Sequence, residues 1–410
     1  MSSDPALRAG AVLDIDLGGI IANWRLLAQR AAPARCAAVV KANGYGLGAV
    51  PVARALAAAG CRLFFVATLD EGIGLRKAIG DTAEIVVLNG PLPGTAAEFA
   101  AHRLIPVLND PGQIEAWRTA PLPHRGRGRG PRREAREGEG VTDASTLTRP
   151  SLTRWAPAPA MQERDSENSR PAILHVDTGM SRLGLTAREF VGLADDLPRL
   201  GICWRAVMSH LACADMPDHS LNETQRARFT DAARRLAGVP ASLAASSGIF
   251  LGPGYRFDLV RPGAALYGVN PQPGQPNPMR QVVRLSAKIL QLREIDRGES
   301  VGYGAAHLME AASRVATVAV GYADGWLRSL SHRGCGFLAG KRVPLLGRVS
   351  MDLVSFDVSA VDPALAQPGA TIELLGEHYR VDDAAADAGT IGYEILTALG
   401  PRYHRIYRPE

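Results

Sequence analysis

The sequence predicts an α/β chain: an N-terminal, TIM-like (β/α)8 barrel over residues 10–270, followed by a mostly β C-terminal domain over 271–410. Three observations carry that expectation. Eight short apolar runs alternate with stretches of helical periodicity, a turn-rich segment follows the eighth, and beyond it apolar and polar residues alternate.

The eight runs are CAAVV (36–40), LFFVA (63–67), EIVVL (84–88), LIPVL (104–108), AILHV (172–176), WRAVM (204–208), ASLAA (241–245) and DLVRP (258–262). Between them lie AVPVARALAAAG, TAAEFAAHRL and ETQRARFTDAARRLAG, whose apolar residues fall at helical spacing. Eight strands alternating with helices favour a closed parallel barrel over an open sheet. Residues 121–170 interrupt the pattern with Pro, Gly, Arg and Ser and few aliphatic residues, and are expected to be a disordered insertion. The segment PQPGQPNP (271–278) marks the domain boundary, and VVRLSAKILQL, RVATVAV, RVPLLG and MDLVSFDV beyond it read as strands. The run VLDIDL (12–17) is strand-like too, but the sequence does not assign it to a domain.

Of 410 residues, 46% are hydrophobic and 21% charged, an ordinary balance for a globular chain with a large core. The net charge is +5; residues 121–170 hold ten Arg and seven Asp or Glu, so 10 − 7 = +3 comes from that segment. Three Arg-Gly steps without interleaved aromatics do not make an RNA-binding surface, and no nucleic-acid partner is expected. Five scattered cysteines suit free thiols, and no metal site is expected. Neither a leader-like N-terminus nor a bilayer-length apolar run is visible, so the expected setting is cytoplasmic with no membrane partner.

Chemistry in such a barrel gathers at the carboxyl ends of the strands. Lys41 follows the first strand, Asp177 and Arg182 the fifth, His210 the sixth, Ser246 the seventh and Arg261 the eighth. Individually each has a plain structural explanation: Lys41 as a snorkelling surface lysine, His210 as a core histidine, Arg182 as the ion-pair partner of Asp177. Together, Lys, His and two Arg on one rim call for an anionic ligand. A lysine there can lose its proton and condense with an aldehyde. Pyridoxal phosphate supplies both the aldehyde and the negative charge, with Ser246 and the backbone near Gly263 placed to hold its phosphate.

VVKANGYGLG, HVDTGMSRLGL, SHLACAD, RPGAALYG, SVGYGAAH, VGYADGW, GRVSMD and GTIGYE resemble, in order, the motifs of the alanine racemase family. The resemblance covers nearly the whole chain outside 121–170. It implies interconversion of L-alanine and D-alanine with pyridoxal 5'-phosphate carried on Lys41. Tyr45, Ser246, Gly263 and Tyr393 would surround the phosphate, and His210 would lie beside the ring and support Arg261, which faces the pyridine nitrogen. An always-charged guanidinium there disfavours protonation of that nitrogen and limits carbanion character. Racemisation needs a base on each face of the α-carbon. The resemblance gives Lys41 one face and Tyr303, from the partner in a head-to-tail homodimer, the other. A tyrosine, with an ordinary pKa of ~10, serves as a base only where cations favour its phenolate. Arg182 would bind near the substrate carboxylate, with Tyr322 and Met351 closing the pocket from the partner. Without the resemblance, Tyr303, Tyr322 and Tyr393 read as half-buried tyrosines and Met351 as a core filler.

Two positions depart from the family pattern. His175 stands where a lysine, carbamylated in some members, orients the arginine; a bound anion such as chloride, or a hydrogen bond from His175, would take over that task. AASSG around Ser246 lacks the more usual Asn before the serine. The bulky Tyr322 and Tyr393 favour a small substrate. A serine or broad-specificity racemase is the alternative, then a non-catalytic pyridoxal phosphate-binding protein. A decarboxylase on the same barrel should have an acidic residue where Arg261 stands. D-Alanine for peptidoglycan precursors is the use the resemblance implies, although the sequence does not separate it from alanine breakdown.

Overall fold

The structure is a computed structural model and describes residues 5–121 and 170–409. Nearly all of the segment expected to be disordered therefore lies outside the described residues. Each of the eight apolar runs contains a strand or part of one. Ala38–Val39, Leu63–Val66, Glu84–Val87, Ile105–Leu108, Arg170–His175, Ile202–Met208 and Ala241–Ser242 form a seven-stranded parallel ladder in chain order. The eighth, Leu259–Val260, pairs in parallel with Arg35–Cys36 immediately before the first. Main-chain bonds from Asp258 N–H to the Ala241 carbonyl (3.0 Å) and from Arg261 N–H to the Ala244 carbonyl (2.9 Å) bring it against the seventh, closing the barrel. Leu63–Val66 and Ile105–Leu108 are buried along their whole length. Parallel strands covered on both faces need such continuous apolar runs.

Helices return the chain between strands. Leu69–Ile79 and Pro111–Thr119 start at Thr68 and Asp110, whose side chains accept from the N–H groups of Glu71 and Gln113. Ala49–Ala58 and Ser220–Arg235 occupy stretches in which helical spacing was evident in the sequence.

The second domain is an eight-stranded sheet around the 13-residue strand Val283–Ile295. That strand pairs with Ala11–Asp16, Thr371–Leu375 and Ser313–Val318; the last of these is the end strand of the order, and its return to Val283–Ile295 curls the sheet. Ala11–Asp16 also pairs in parallel with His404–Arg408 near the other end of the described chain. VLDIDL thus belongs to this second sheet, although it falls within residues 10–270. Its alternating burial explains the placement: one face is covered and one is open, unlike the barrel strands. Two short helices, Val381–Ala388 and Gly392–Ala398, and the antiparallel pair Ser300–Val301 and His307–Leu308 also belong to the domain. One contiguous buried cluster runs from the barrel strands into this sheet, so the two domains share a core.

Candidate active site

Lys41 begins a turn with unusual handedness. Ala42, Asn43, Gly44, Tyr45 and Gly46 all have positive φ, between 52° and 82°. Left-handed backbone costs roughly 1–2 kcal/mol at each non-glycine residue, so Ala42, Asn43 and Tyr45 need compensating bonds. These come from Gly44 N–H to Val40 O (2.9 Å), Gly46 N–H to Ala42 O (2.8 Å), Ala49 N–H to Asn43 Oδ1 (3.0 Å) and Ala42 N–H to Glu71 Oε1 (2.6 Å). Second-domain side chains hold the far end: Arg405 donates to Gly46 O (2.5 Å) and Tyr407 to Leu47 O (3.0 Å). A Cβ on Gly46 would lie 2.2 Å from the Leu396 carbonyl, so the domains meet at a glycine. The Lys41 amine is half-buried. Burial and then Arg182 push its pKa below the ordinary lysine value, with Glu71 opposing them.

Tyr45 leaves this turn buried, stacked on Tyr267 at 4.8 Å and 6.1 Å from the ring of Tyr393. Burial pushes the Tyr45 hydroxyl well above the usual range, which keeps it a hydrogen-bond donor. A Cβ at Gly263 would stand 2.1 Å from the Tyr45 oxygen. Buried Ser246 completes the corner: its Oγ accepts from Gly263 N–H (3.0 Å) and Ala265 N–H (3.2 Å). Two hydroxyls and main-chain N–H groups after the seventh and eighth strands suit a phosphate. With the depressed amine of Lys41 on the adjoining first strand, which pairs with the eighth through Val39 N–H and Pro262 O (2.9 Å), these residues fit a phosphorylated aldehyde. Tyr393, at the start of helix Gly392–Ala398, reaches the same corner from the second domain.

Arg261 is buried, and burial lowers its pKa to about 10, so it stays charged at neutral pH. Its guanidinium donates to Ser242 Oγ, to Ser209 O at 2.7 Å and to Leu243 O at 3.5 Å. His210 falls to about 3 through burial, then Arg261, Arg182, His175 and Lys41. Gln225 anchors the His210 loop, donating to His210 O (2.9 Å) and accepting from Ala212 N–H (2.8 Å). His175 is buried and falls to about 4, through burial and then Arg261, with Asp177 opposing and Arg182 adding to the fall. Both imidazoles are therefore neutral at pH 7. Asp177 does not pair with Arg182. One of its oxygens accepts from the N–H groups of Gly179 and Met180 (both 2.9 Å), and both accept from Ser181, which shapes the loop. Arg182 stands exposed, without a carboxylate partner among the described residues.

The second domain holds the other expected residues on one exposed patch. Tyr303 is 73% exposed, with Tyr322 and Met351 also open. The segment 347–351 joins them. Arg348 packs beside Gly304, Ser350 O accepts from Tyr322 N–H (3.0 Å), and Met351 O accepts from Ala323 N–H (3.0 Å). None of the described side-chain hydrogen bonds, ion pairs or ring contacts of these three residues reaches Lys41.

Sequence reasoning missed Glu71, Asn109, Gln113, Ser209, Ser242 and Gln225. Glu71 and Gln113 had a visible helix-start signal, as the fourth residues of T-L-D-E and D-P-G-Q. The described residues contain no group of three metal-ligating side chains and no helix long and apolar enough to cross a membrane.

Fold and rim together define a TIM-like barrel with a half-buried lysine amine of lowered pKa and a hydroxyl-lined corner at its mouth. The family described as "Alanine racemase, N-terminal domain" matches residues 15–129 and 148–271, and "Alanine racemase, C-terminal domain" matches 282–407. An alanine racemase of Rhodospirillum rubrum is 50% identical over 402 residues, covering 98% of this chain and 96% of that protein. A catabolic alanine racemase of Mesorhizobium japonicum is 47% identical, covering 97% and 93%. The crystal structure of alanine racemase from Bartonella henselae with covalently bound pyridoxal phosphate superposes with a TM-score of 0.82 at 38% identity, covering 98% of this chain and 100% of that one. The chain belongs to the alanine racemase family and is an isomerase.

Proposed function

We propose that this chain interconverts L-alanine and D-alanine by a two-base mechanism with pyridoxal 5'-phosphate, using Lys41 on one face of the α-carbon and Tyr303 of a second copy on the other. When bound, the cofactor supplies the electron sink that makes the α-hydrogen acidic. Tyr45, Ser246, Gly263 and Tyr393 hold its phosphate. Arg261 faces its ring nitrogen and disfavours protonation there, which limits side reactions. His210 lies beside it as a neutral imidazole.

The Lys41 amine, depressed by burial and by Arg182, is free to accept a proton at lower pH than an exposed lysine. Arg182, having no carboxylate partner of its own, receives the substrate carboxylate. His175 orients it as a hydrogen-bond acceptor, in place of an anion. Tyr322 and Met351 of the second copy and Tyr393 narrow the entrance to the size of alanine.

The observation that carries the reading is the exposed patch of Tyr303, Tyr322 and Met351 on a domain other than the one bearing Lys41. A patch with an acid-base group and apolar companions suits insertion into a second copy's barrel mouth, and so a head-to-tail homodimer. Mixing inactive Lys41→Ala and Tyr303→Ala proteins tests it. With bases from different chains, half the dimers are mixed and hold one intact site of two, restoring roughly a quarter of parental activity. Bases from the same chain restore none. D-Alanine so formed would supply peptidoglycan precursors, and a strain lacking the chain would then require D-alanine for growth.

A further inference from the structure

Glu71 joins two loops of the barrel mouth. It sits in the first turn of helix Leu69–Ile79, where it and Thr68 cap each other. Its Oε2 accepts from the N–H groups of Ala67 (2.8 Å) and Thr68 (3.3 Å). A capping glutamate ordinarily serves its own helix. Here Oε1 reaches across to the N–H of Ala42 at 2.6 Å, in the loop after the preceding strand and one residue beyond Lys41.

That position matters because the left-handed turn begins at Ala42. Sparsely populated backbone persists only where its surroundings over-determine it. Arg405 and Tyr407 fix the far end, at Gly46 and Leu47. Glu71 fixes the near end, where a rotation of the backbone would swing the lysine side chain away from the rim. It also brings charge. Arg182 and Glu71 are the charged groups that shift the Lys41 amine, and Glu71 is the anionic one; the neutral His210 imidazole lies close enough to be lowered by Lys41 in turn.

We propose that Glu71 is a positioning residue for Lys41: a single carboxylate that ties the start of the left-handed turn to the neighbouring loop and sets a negative charge against the amine. The proposal rests on the reading of Lys41 as the cofactor-bearing base. Two acceptor oxygens serving three N–H donors explain why an amide is a poor substitute. Its NH2 group would face an N–H on one side or the other.

Glu71→Gln, Glu71→Asp and Lys41→Ala test it in the full chain. Labelling of Lys41 by an amine-selective reagent across pH, before pyridoxal phosphate is added, reads the amine's titration. Amide exchange over residues 40–49 reads the turn, and alanine racemisation by the loaded protein reads the consequence. Glu71→Gln should move the labelling midpoint to lower pH, speed exchange across 42–48 and cut kcat roughly tenfold or more with little change in KM. Glu71→Asp keeps the charge but spans less, so exchange quickens while the midpoint stays nearer the parent. An unchanged midpoint and unchanged exchange in folded Glu71→Gln overturn the proposal, as does a fall in kcat accompanied only by a general loss of thermal stability. Should Glu71→Gln not fold, Glu71→Asp decides: faster exchange supports the proposal and parental exchange overturns it. Racemisation surviving in Lys41→Ala removes the underlying reading, and the proposal with it, whatever the Glu71 variants do.

Discussion

Oδ1 of Asn109 lies 2.7 Å from Nδ1 of His175, and the two side chains are buried together at the rim. The Asn109 amide is fixed by its other bonds: Nδ2 donates to Leu88 O (3.1 Å) and Val107 O (3.2 Å), and Gln113 Oε1 is within reach of both its main-chain and side-chain nitrogens. Oδ1 therefore accepts, Nδ1 of His175 carries the proton, and Nε2 is left as an acceptor. Beside two guanidinium groups, an acceptor is what the site needs.

Asn109→Asp tests that assignment. A carboxylate would still accept from Nδ1 but would raise the His175 pKa, turning an acceptor into a cation beside Arg182. KM for alanine should rise, most at the acid end of the pH profile, with the racemisation pH–rate curve as the measurement. A profile identical to the parent's would remove His175 from any part in orienting Arg182.

Stability should carry the mark of the same histidine. Its pKa falls from 6.5 unfolded to about 4 folded, so between those values the unfolded chain binds the extra proton. Stability is fully present above pH 6.5 and is lost as pH drops toward 4. The contribution is on the order of 3 kcal/mol. Thermal melts of parent and His175→Gln proteins from pH 7.5 to 4 should show the shallower acid slope in the variant.

Gly263→Ala tests crowding beside Tyr45. The added methyl would sit 2.1 Å from the Tyr45 oxygen. Overpacking of this kind costs roughly 1–3 kcal/mol. It should also push Tyr45 out of the corner proposed to hold the phosphate. Pyridoxal phosphate titration should show weakened affinity, and adding Tyr45→Phe, which removes the 2.1 Å contact but leaves Cζ at 2.9 Å, should recover part of the thermal stability without recovering that affinity.

Arg261→Lys keeps a positive charge and loses the fork. Ser242 Oγ, Ser209 O and Leu243 O share the guanidinium, and one ammonium cannot reproduce those directions. Each buried acceptor left bare costs about 1–3 kcal/mol. The melting temperature should drop sharply, and, with Arg261 facing the ring nitrogen as proposed, the absorption spectrum of the bound cofactor should shift.

Lys41, His210 and Arg261 were legible because parallel β/α order fixes where strand carboxyl ends gather, and a charge there stands out against an apolar run. Asn109, Ser209 and Ser242 were not legible. They are small uncharged groups whose importance depends on partners across the barrel, from 19 to 66 residues away in the chain. Glu71 was hidden differently, since its capping role is local and its reach to Ala42 is not. VLDIDL showed its alternation plainly, yet its partners Val283–Ile295 and His404–Arg408 lie at the opposite end of the sequence. Periodicity gives the face a strand presents, while the partner depends on non-local pairing.

Arg405 tests whether the second domain merely adjoins the barrel or holds its site in shape. From strand His404–Arg408 its guanidinium donates to Gly46 O at 2.5 Å, and to Leu399 O and Gly400 O at 3.2 Å each. Gly46 closes the left-handed turn that starts beside Lys41, and Leu399 follows the helix bearing Tyr393. Arg405→Met would keep much of the apolar stem while releasing all three carbonyls. Because the site is partly open to water, the loss should fall near the lower end of about 1–3 kcal/mol per acceptor. If the clamp holds both loops, kcat and cofactor affinity fall together, and amide exchange quickens over residues 44–48 and 393–400 alike. Faster exchange in only one segment would show that Arg405 braces that loop alone, leaving the shared apolar core to hold the other.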